Sequence, residues 1–193
     1  MLEVSLPQGG HRLLLHSCCA PCSGAIIECL MANGIRPAVF FSNSNIVPWD
    51  EYELRREEIR RYTESFGLDF IDDDYDHEAW LQEVQGHEND PERGTRCSLC
   101  FRFRLLRAAR YAAENGYDVL TTTLASSRWK DVAQVDAAGR LACAAVEGGP
   151  LWWGREWRKG GLQLRRSEII REQDFYNQTF CGCEFSRKKA ELL

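Results

Sequence analysis

Seven of the nine cysteines in this 193-residue chain stand in three short groups. The first group lies in the segment LLLHSCCAPCSG, directly after a run of leucines, the second in RCSLC and the third in FCGC. The groups contribute Cys18, Cys19, Cys22, Cys97, Cys100, Cys181 and Cys183. A closed zinc site takes four ligands, and an iron–sulfur cluster takes about four thiolates. Seven grouped thiols therefore predict a four-thiolate centre with a second metal, or an open substrate-facing thiol, beside it.

The other two cysteines, Cys29 and Cys143, lie in apolar helical runs and are predicted to be core residues. Disulfides are disfavoured because the cysteine count is odd and the expected compartment is reducing. That expectation, a soluble cytoplasmic protein, rests on two absences. No apolar run is long enough to cross a membrane, and the N-terminus lacks the basic-then-apolar form of a signal peptide. Length and composition fit one domain over residues 1–193.

Short apolar runs alternate with helical patterns along the chain. RLLLHS, PAVFFSN, DFIDDD and DVLTTTL predict strands. Helices are predicted for the intervening segments PCSGAIIECLMANG, DEYELRREEIRRYTESFG, HEAWLQEV and SLCFRFRLLRAARYAAENG, and for KDVAQVDAAGRLACAAV after the last strand. This alternation predicts an α/β fold, a parallel sheet with helices on both faces. Ligands bind beyond the carboxyl ends of the strands in such folds, and the CCAPC group lies at such an end.

The helix that begins near RCSLC carries two stripes of side chains. Cys97, Cys100, Arg104 and Arg107 share one face, and a second stripe, formed by Leu99, Phe103 and Leu106, is predicted to meet the core. The two arginines would offset the charge of a cluster or hold a phosphate. A solvated basic face is an equally good interpretation.

Several motifs together resemble the cobalamin-independent epoxyqueuosine reductases of the QueH type. The groups HSCCAPCS, RCSLCFRFRL and FCGCEFS are similar to that family's cysteine motifs, and FFSNSNIVPWDEYELR, DYD, TTLASSRWK, WRKGG and RRS match its other segments in order and spacing. The chain departs from the family pattern at Ser44, Arg128, Asp131, Glu156, Trp157 and Asn177, none of which is a cysteine. The Asn177 change removes a charge and bears on the substrate contacts.

The resemblance implies a function, a fold and a cofactor. Members of the family reduce epoxyqueuosine at the wobble position of tRNA to queuosine, the last step of that modification. The implied fold is a Rossmann-like sheet related to the adenine nucleotide alpha hydrolases, and the implied centre is a [4Fe–4S] cluster with a further iron close by. The matched motifs imply substrate-binding roles for Asn43, Asn45, Tyr52, Arg55, Lys130, Arg158, Lys159 and Arg166. The motifs leave open which cysteine binds which metal.

Removing an epoxide oxygen needs two electrons, two protons and a group that binds the oxygen. No G-x-G-x-x-G motif is present for a nicotinamide or flavin donor, so a cluster and an iron would do this chemistry, with electrons from an unidentified protein or reductant. Candidates for the acid are Tyr75, Asp76, Glu51 and His16. Asp76 has a second interpretation as an iron ligand, and His16 as a satisfied core histidine.

A tRNA partner requires basic and stacking groups. Residues 1–96 carry 8 basic and 18 acidic side chains, whereas residues 97–193 carry 16 and 11. The second half contains WWGREWRKGG, LRR and the C-terminal SRKK, although closely spaced tryptophans are more often core than stacking platforms. Two alternatives stay open: another iron–sulfur enzyme acting on tRNA, such as a thiolation enzyme, and a zinc-stabilised RNA-binding module.

Overall fold

A computed structural model describes residues 2–190, without the side chains of residues 188–190. The strands are β1 (Leu13–Ser17), β2 (Ala38–Phe41), β3 (Phe70–Asp72), β4 (Val119–Thr122) and β5 (Leu151–Trp152). The helices are α1 (Ala20–Ala32), α2 (Trp49–Ser65), α3 (His77–Glu83), α4 (Thr95–Glu114), α5 (Val132–Ala144), α6 (Leu162–Glu172) and α7 (Glu184–Ala190). The predicted alternation of strands and helices is confirmed, and β5, α6 and α7 are additions that the sequence patterns did not resolve.

The five strands form one parallel sheet in the order β3-β2-β1-β4-β5. Every residue of β1, β2 and β4 is buried, as expected for strands covered by helices on both faces. The strand order reverses beside β1, because the chain moves outward to β2 and β3 on one side and to β4 and β5 on the other. The carboxyl ends of β1 and β4 therefore flank the crevice where doubly wound sheets bind ligands.

Helix α4 buries one face more deeply than the face predicted to meet the core. Its deepest apolar side chains are Phe101, Leu105, Ala108 and Ala112, whereas Leu99, Phe103 and Leu106 are only partly buried. Both sets begin with a spacing of 4 and 3 residues, but the deeper set continues to Ala112 and so makes the longer apolar stripe. The predicted contact of the Leu99 stripe with the core is confirmed, since its three side chains pack against the two hydrophobic clusters.

Two tryptophans of the WWGREWRKGG segment belong to the hydrophobic core. Trp153 and Trp157 are buried and pack edge to face with their ring centres 5.4 Å apart, while the Trp152 indole donates to Asp136. The burial of Trp153 and Trp157 supports their interpretation as core residues rather than as stacking platforms. Cys29 and Cys143 are also buried in the main core, as predicted. None of the helices in the described part of the chain is both long and apolar enough to cross a membrane.

Candidate metal centre

Cys18, Cys19 and Cys22, called the triad below, lie where β1 passes into α1. Their three sulfur atoms lie within 4.8 Å of one another, and those of Cys18 and Cys19 are 3.8 Å apart. Pro21 is at the start of α1, where its fixed φ suits the helix and its missing N–H costs no hydrogen bond. The triad therefore sits at a helix N-terminus, where the helix dipole favours negative charge.

Buried hydroxyl groups fix the turn that carries the triad. The Ser23 hydroxyl donates to the Cys19 carbonyl at 2.7 Å, and the hydroxyls of Ser17 and Ser23 are also 2.7 Å apart. Thr123, directly after β4, accepts a hydrogen bond from the Cys18 amide and donates to the Cys18 sulfur at 3.4 Å. The two strands at the reversal of strand order thus meet at Cys18.

Negative charge in the triad is concentrated on Cys18. Hydrogen bonds from Cys19 and Cys22 lower the pKa of Cys18 well below its usual value, and the nearby Arg104 guanidinium lowers it further. The same hydrogen bonds raise the pKa of Cys19 well above the ordinary thiol value, and they raise that of Cys22 to about 12. Cys18 is accordingly the thiol of this group whose ionised form is favoured.

The other four cysteines, called the quartet below, come from two distant segments. Cys97 and Cys100 lie one turn apart on α4, and Cys181 and Cys183 precede α7. Cys97, Cys181 and Cys183 line one small cavity of about 20 Å³, and Cys100 packs with Cys183 in a second hydrophobic cluster. In the described part of the chain, one group of three or more His, Cys, Asp or Glu side chains is placed to share a metal ion, and that group is the triad. The four described cysteines of the quartet form no such group of three.

Three long-range contacts hold the 181–183 segment. Arg55 on α2 donates to the Cys181 carbonyl at 3.1 Å, and the Val47 amide donates to the Gly182 carbonyl at 3.0 Å. The Lys130 ammonium lies 2.7 Å from the Cys181 sulfur. Gly182 has a φ of +103°, and a Cβ there would lie 3.0 Å from Arg55 Nη1. A residue without a side chain is thus required between the two cysteines.

Lys130 and Cys181 form a half-buried charge pair. A hydrogen bond from Cys183 and the adjacent Lys130 ammonium lower the pKa of Cys181 well below its usual value. Burial disfavours the charged form of Lys130, but the Cys181 thiolate outweighs burial and raises the pKa of the ammonium. The quartet, like the triad, has one thiol that ionises most readily.

The triad and one member of the quartet, Cys181, line one cavity of about 270 Å³. Its wall contains the triad, Cys181, two asparagines, three arginines, one lysine and one glutamate, which are Asn43, Asn45, Arg55, Arg104, Arg166, Lys130 and Glu92. The smaller cavity beside the quartet shares part of this wall. The arrangement places thiols, cations and a carboxyl group around a space that would admit one modified base.

Arg104 links the two cysteine groups electrostatically. Its side chain is 2% exposed, donates to the Ser42 carbonyl and to Asn43, and lowers the pKa of both Cys18 and Cys181. Arg107, one turn further on, pairs with Asp73 at 2.5 Å. The alternative of a solvated basic face does not fit these two arginines.

The four side chains proposed as acids do not line the cavity. His16 is fully buried, and its ring nitrogens lie 2.7 Å from the Thr122 hydroxyl and 3.2 Å from the Ser42 carbonyl. Burial lowers the pKa of His16 to about 3, with Arg104 adding to the effect, so the ring is neutral. The Tyr75 hydroxyl donates to the Ile46 carbonyl at 2.8 Å. These contacts match the interpretation of His16 as a satisfied core histidine.

Asp76 and Glu51 are also committed to other contacts. Asp76 caps α3 by accepting from the Ala79 amide at 2.9 Å. Glu51 pairs with Arg55 at 2.5 Å and lines a separate groove on the outer side of that arginine. It therefore orients Arg55, which in turn holds Cys181.

The Glu92 carboxyl group lies on the cavity wall, although Glu92 is not among the predicted site residues. It lines both cavities and accepts a hydrogen bond from Ser186 at the start of α7. Its position five residues before Cys97, in the loop that leads into α4, is the sequence signal that could have identified it.

Five of the eight proposed substrate-binding residues line the cavity: Asn43, Asn45, Arg55, Lys130 and Arg166. The buried Oδ1 atom of Asn45 accepts no hydrogen bond in the described part of the chain, so it is available to a bound molecule. The other three residues, Tyr52, Arg158 and Lys159, do not line the cavity. Tyr52 is buried against Asp72, and Arg158 holds the Ser127 and Lys130 carbonyls.

The basic residues proposed for RNA contact are dispersed. Lys159 is 75% exposed on its side chain and pairs with Glu156, while Arg165 pairs with Glu28 at 2.6 Å. The side chains of Lys188 and Lys189 lie outside the described residues. Arg166, whose guanidinium lies 3.5 Å from the Asn177 side-chain oxygen, is the member of this set that reaches the cavity.

Comparisons with known proteins agree on one family. The family model for epoxyqueuosine reductase QueH matches residues 13–189. Epoxyqueuosine reductase QueH of Histophilus somni is 46% identical over 184 residues, which is 95% of this chain and 75% of that protein. The protein of the same name from Acinetobacter baylyi is 44% identical over 96% of this chain and 84% of its own length. The match spans the triad, the quartet and the cavity between them, so the chain belongs to the epoxyqueuosine reductase QueH family.

Proposed function

We propose that this protein reduces epoxyqueuosine at the wobble position of tRNA to queuosine. Family membership supports the reaction, and one observation supports this site for it: four of the seven thiols, the triad and Cys181, line a single cavity that carries cations and a carboxyl group, and Cys97 and Cys183 line the smaller cavity beside it. The cavity opens at the carboxyl ends of β1 and β4, the usual ligand position in this type of sheet.

The two cysteine groups suit two different metal sites. Ligands that share one ion at bonds of about 2.3 Å lie about 3.8 Å apart when the geometry is tetrahedral. The 3.8 Å between the Cys18 and Cys19 sulfurs fits that spacing, so the triad would hold the single iron. A [4Fe–4S] cluster carries its four thiolates on separate irons and needs wider spacing. The quartet, with four thiols on two segments, would hold the cluster.

The reaction consumes two electrons and two protons, opens the epoxide, forms a carbon–carbon double bond and releases the oxygen as water. When bound, the cluster and iron would supply single electrons and a Lewis acid. The chain must supply or relay the protons. Besides the thiols, the ionisable groups of the wall belong to Glu92, Lys130 and three arginines. Because guanidinium groups stay charged, Glu92 and Lys130 are the residues of this set that can exchange a proton. Since Lys130 is engaged with Cys181, Glu92 is the better proton donor.

Substrate binding would use the remaining polar groups of the wall. The unpartnered Asn45 Oδ1 atom would accept a hydrogen bond from the modified base, and Arg166 would meet phosphate or ribose oxygens at the mouth. Asn43 and Arg55 would act indirectly, since Asn43 orients Arg104 and Arg55 holds the Cys181 segment. Electrons would come from a separate donor, and the cytoplasm is the compartment that holds tRNA and keeps these thiols reduced.

The first experiment combines metal content with turnover. Protein purified without oxygen is analysed for iron, zinc and acid-labile sulfide, then incubated with a chemical reductant and tRNA carrying epoxyqueuosine. We expect about four sulfides and more than four irons per chain, together with queuosine in the digested tRNA. Oxygen-exposed protein from the same preparation is the control and should lose sulfide and turnover together.

Two results would contradict the proposal. Zinc without sulfide would make the cysteines a structural scaffold and leave the RNA-binding module as the better interpretation. A full complement of iron and sulfide without queuosine formation would point instead to another iron–sulfur reaction on tRNA.

A further inference from the structure

Trp129 is a large apolar side chain exposed at the edge of the proposed active site. It is 55% exposed and lines both the main cavity and the smaller cavity beside the quartet. A tryptophan left in water at the mouth of a polar, cationic cavity loses the stabilisation that burial would give it. Exposure alone would be ordinary for one side chain, but the place of Trp129 on the walls of both cavities makes its ring available to a molecule bound there.

The loop that carries Trp129 is fixed before any partner binds. Arg93 donates to the carbonyl oxygens of Arg128 and Trp129, at 3.1 and 3.2 Å. Arg158 donates to the carbonyl oxygens of Ser127 and Lys130, at 2.5 and 2.6 Å. Of these four consecutive carbonyl groups, Arg158 thus holds the outer two and Arg93 holds the inner two. An ordered loop places the indole at little entropic cost on binding.

The charge around Trp129 suits an anionic partner. The Arg128 guanidinium lies 4.8 Å from the centre of the Trp129 ring and is itself exposed. Lys130, Arg104 and Arg166 stand deeper in the same cavity. A flat aromatic surface flanked by cations is the arrangement that proteins use for single-stranded nucleic acid, with bases stacked on the ring and phosphates near the cations.

We propose that Trp129 is a stacking platform for a nucleobase of the anticodon loop next to the nucleotide being reduced, and that Arg128 contacts the adjoining phosphate. This proposal rests on the proposed function and adds a substrate-positioning residue to it. The cavity has room for one modified base, so the neighbouring bases of the loop must stay outside. Trp129 stands where the first of them leaves the cavity.

The test compares Trp129→Ala and Trp129→Phe with Trp49→Ala in anaerobically prepared holoenzyme. Trp49 is a matched control, because it is 51% exposed but packs on Tyr52 and does not line the main cavity. The probes are tRNA carrying epoxyqueuosine and its fluorescently labelled anticodon stem-loop. Dissociation constants come from anisotropy, and KM and kcat from queuosine formation.

Trp129→Ala should raise both Kd and KM by roughly 10-fold to 100-fold, the usual effect of losing one base stack, while leaving kcat nearly unchanged. Trp129→Phe should retain most of the affinity, since it keeps an aromatic face. Salt gives a further readout: Trp129→Ala should keep the wild-type slope of log Kd against log salt. Arg128→Ala should flatten that slope by about 0.7, the value for one phosphate contact on a single strand.

The outcomes separate this proposal from the proposed function. If wild-type protein forms queuosine but Trp129→Ala binds the stem-loop as tightly as Trp49→Ala, the platform is overturned and the reductase stands. If wild-type protein binds the stem-loop through Trp129 but forms no queuosine, the platform stands and the reductase is overturned. Equal loss of affinity in Trp129→Ala and Trp129→Phe would assign Trp129 a packing role only.

Discussion

The triad and the quartet are built in opposite ways. The triad lies within five consecutive positions, and a single strand-to-helix turn with two serine hydroxyls fixes it. The quartet joins Cys97 and Cys100 on α4 to Cys181 and Cys183, about 80 residues further along the chain. Its second half depends on Arg55, Val47 and Lys130, which lie on three other segments.

This difference predicts different responses to change. The triad is formed mainly by local contacts of a buried strand and a helix N-terminus, with Thr123 as a long-range partner of Cys18, so its shape follows largely from the folding of β1 and α1. The quartet needs the whole sheet in place before its two halves meet. Substitutions that leave the fold intact should therefore disturb the quartet more than the triad.

Replacing one cysteine of each group should give the largest effects, and effects of different kinds. In Cys100→Ser the quartet loses one of four cluster ligands, and we expect sulfide and most of the iron to disappear. In Cys22→Ser we expect the sulfide to stay and only about one iron to be lost, in line with the proposed assignment of the two groups. Iron and acid-labile sulfide assays on anaerobic protein measure both.

Cys143→Ser is the control for these variants, because Cys143 is a buried core thiol outside both groups. It should retain full metal content. Circular dichroism should first show that the three variants have the same helix content. Loss of sulfide in Cys22→Ser with retention in Cys100→Ser would reverse the assignment of the two groups.

Glu92 lies on the wall common to both groups, so its removal tests the chemistry without removing a ligand from either. Glu92→Gln keeps the size and the contact with Ser186 but cannot transfer a proton. We expect kcat to fall roughly 10²-fold to 10⁴-fold, with iron, sulfide and KM close to wild type. Single-turnover formation of queuosine gives the rate.

Glu78→Gln is a suitable control for that variant, since Glu78 is exposed in the first turn of α3 and does not line the main cavity. Turnover of Glu92→Gln equal to that of Glu78→Gln would pass the proton-donor role to another group, with Lys130 first.

The same contrast explains what could be predicted from the sequence. The parallel sheet, its helices and the CCAPC turn at a strand end follow from local patterns of burial and from turn residues, and all three are confirmed. Periodicity could not place Glu92 and Trp129 on the cavity wall, because both lie in irregular loops, although the position of Glu92 close to Cys97 offered one signal. Their significance arises only when Arg93 and the packing of α4 bring those loops to one cavity.

The predicted acids illustrate the converse case, residues singled out by their motifs that have structural contacts of their own. Asp76 and Glu51 stand in motifs with chemical potential, yet one caps α3 and the other pairs with Arg55. Carboxylates at helix starts have these structural uses so often that residue type and local position cannot distinguish them from acids.

A methyl group at Gly182 should weaken the quartet selectively. At a φ of +103° any other residue is strained by about 1–3 kcal/mol. The new Cβ would also press on Arg55, whose hydrogen bond to the Cys181 carbonyl is worth about 1 kcal/mol. We expect Gly182→Ala to lower the free energy of unfolding by about 2–4 kcal/mol and to lose sulfide faster on exposure to a chelator.

Gly148→Ala separates the effect of backbone strain from the effect of a new contact with Arg55. Gly148 has a φ of +64°, and a Cβ there would meet no atom within 4 Å. Gly148→Ala should lower the free energy of unfolding, measured with urea, only by the cost of the backbone strain. It should retain sulfide as well as the wild-type protein does. Equal sulfide loss in the two variants would mean that general destabilisation, rather than the Arg55 contact, controls the quartet.

The smallest predicted effect is on the triad, in Ser23→Ala. Ser23 is fully buried, and its hydroxyl donates to the Cys19 carbonyl while meeting the Ser17 hydroxyl. Removing it leaves the buried Ser17 hydroxyl without that partner, which costs about 1–2 kcal/mol. Ser167→Ala is the matched control, because Ser167 donates to the carbonyl four residues earlier on the exposed face of α6 and should change stability by less than about 0.5 kcal/mol. Since β1 and α1 themselves fix the turn, Ser23→Ala should keep its full iron content despite the lower urea midpoint. Loss of one iron in Ser23→Ala would show that the triad, like the quartet, depends on individual polar contacts, and the contrast between the two groups would then rest on sequence separation alone.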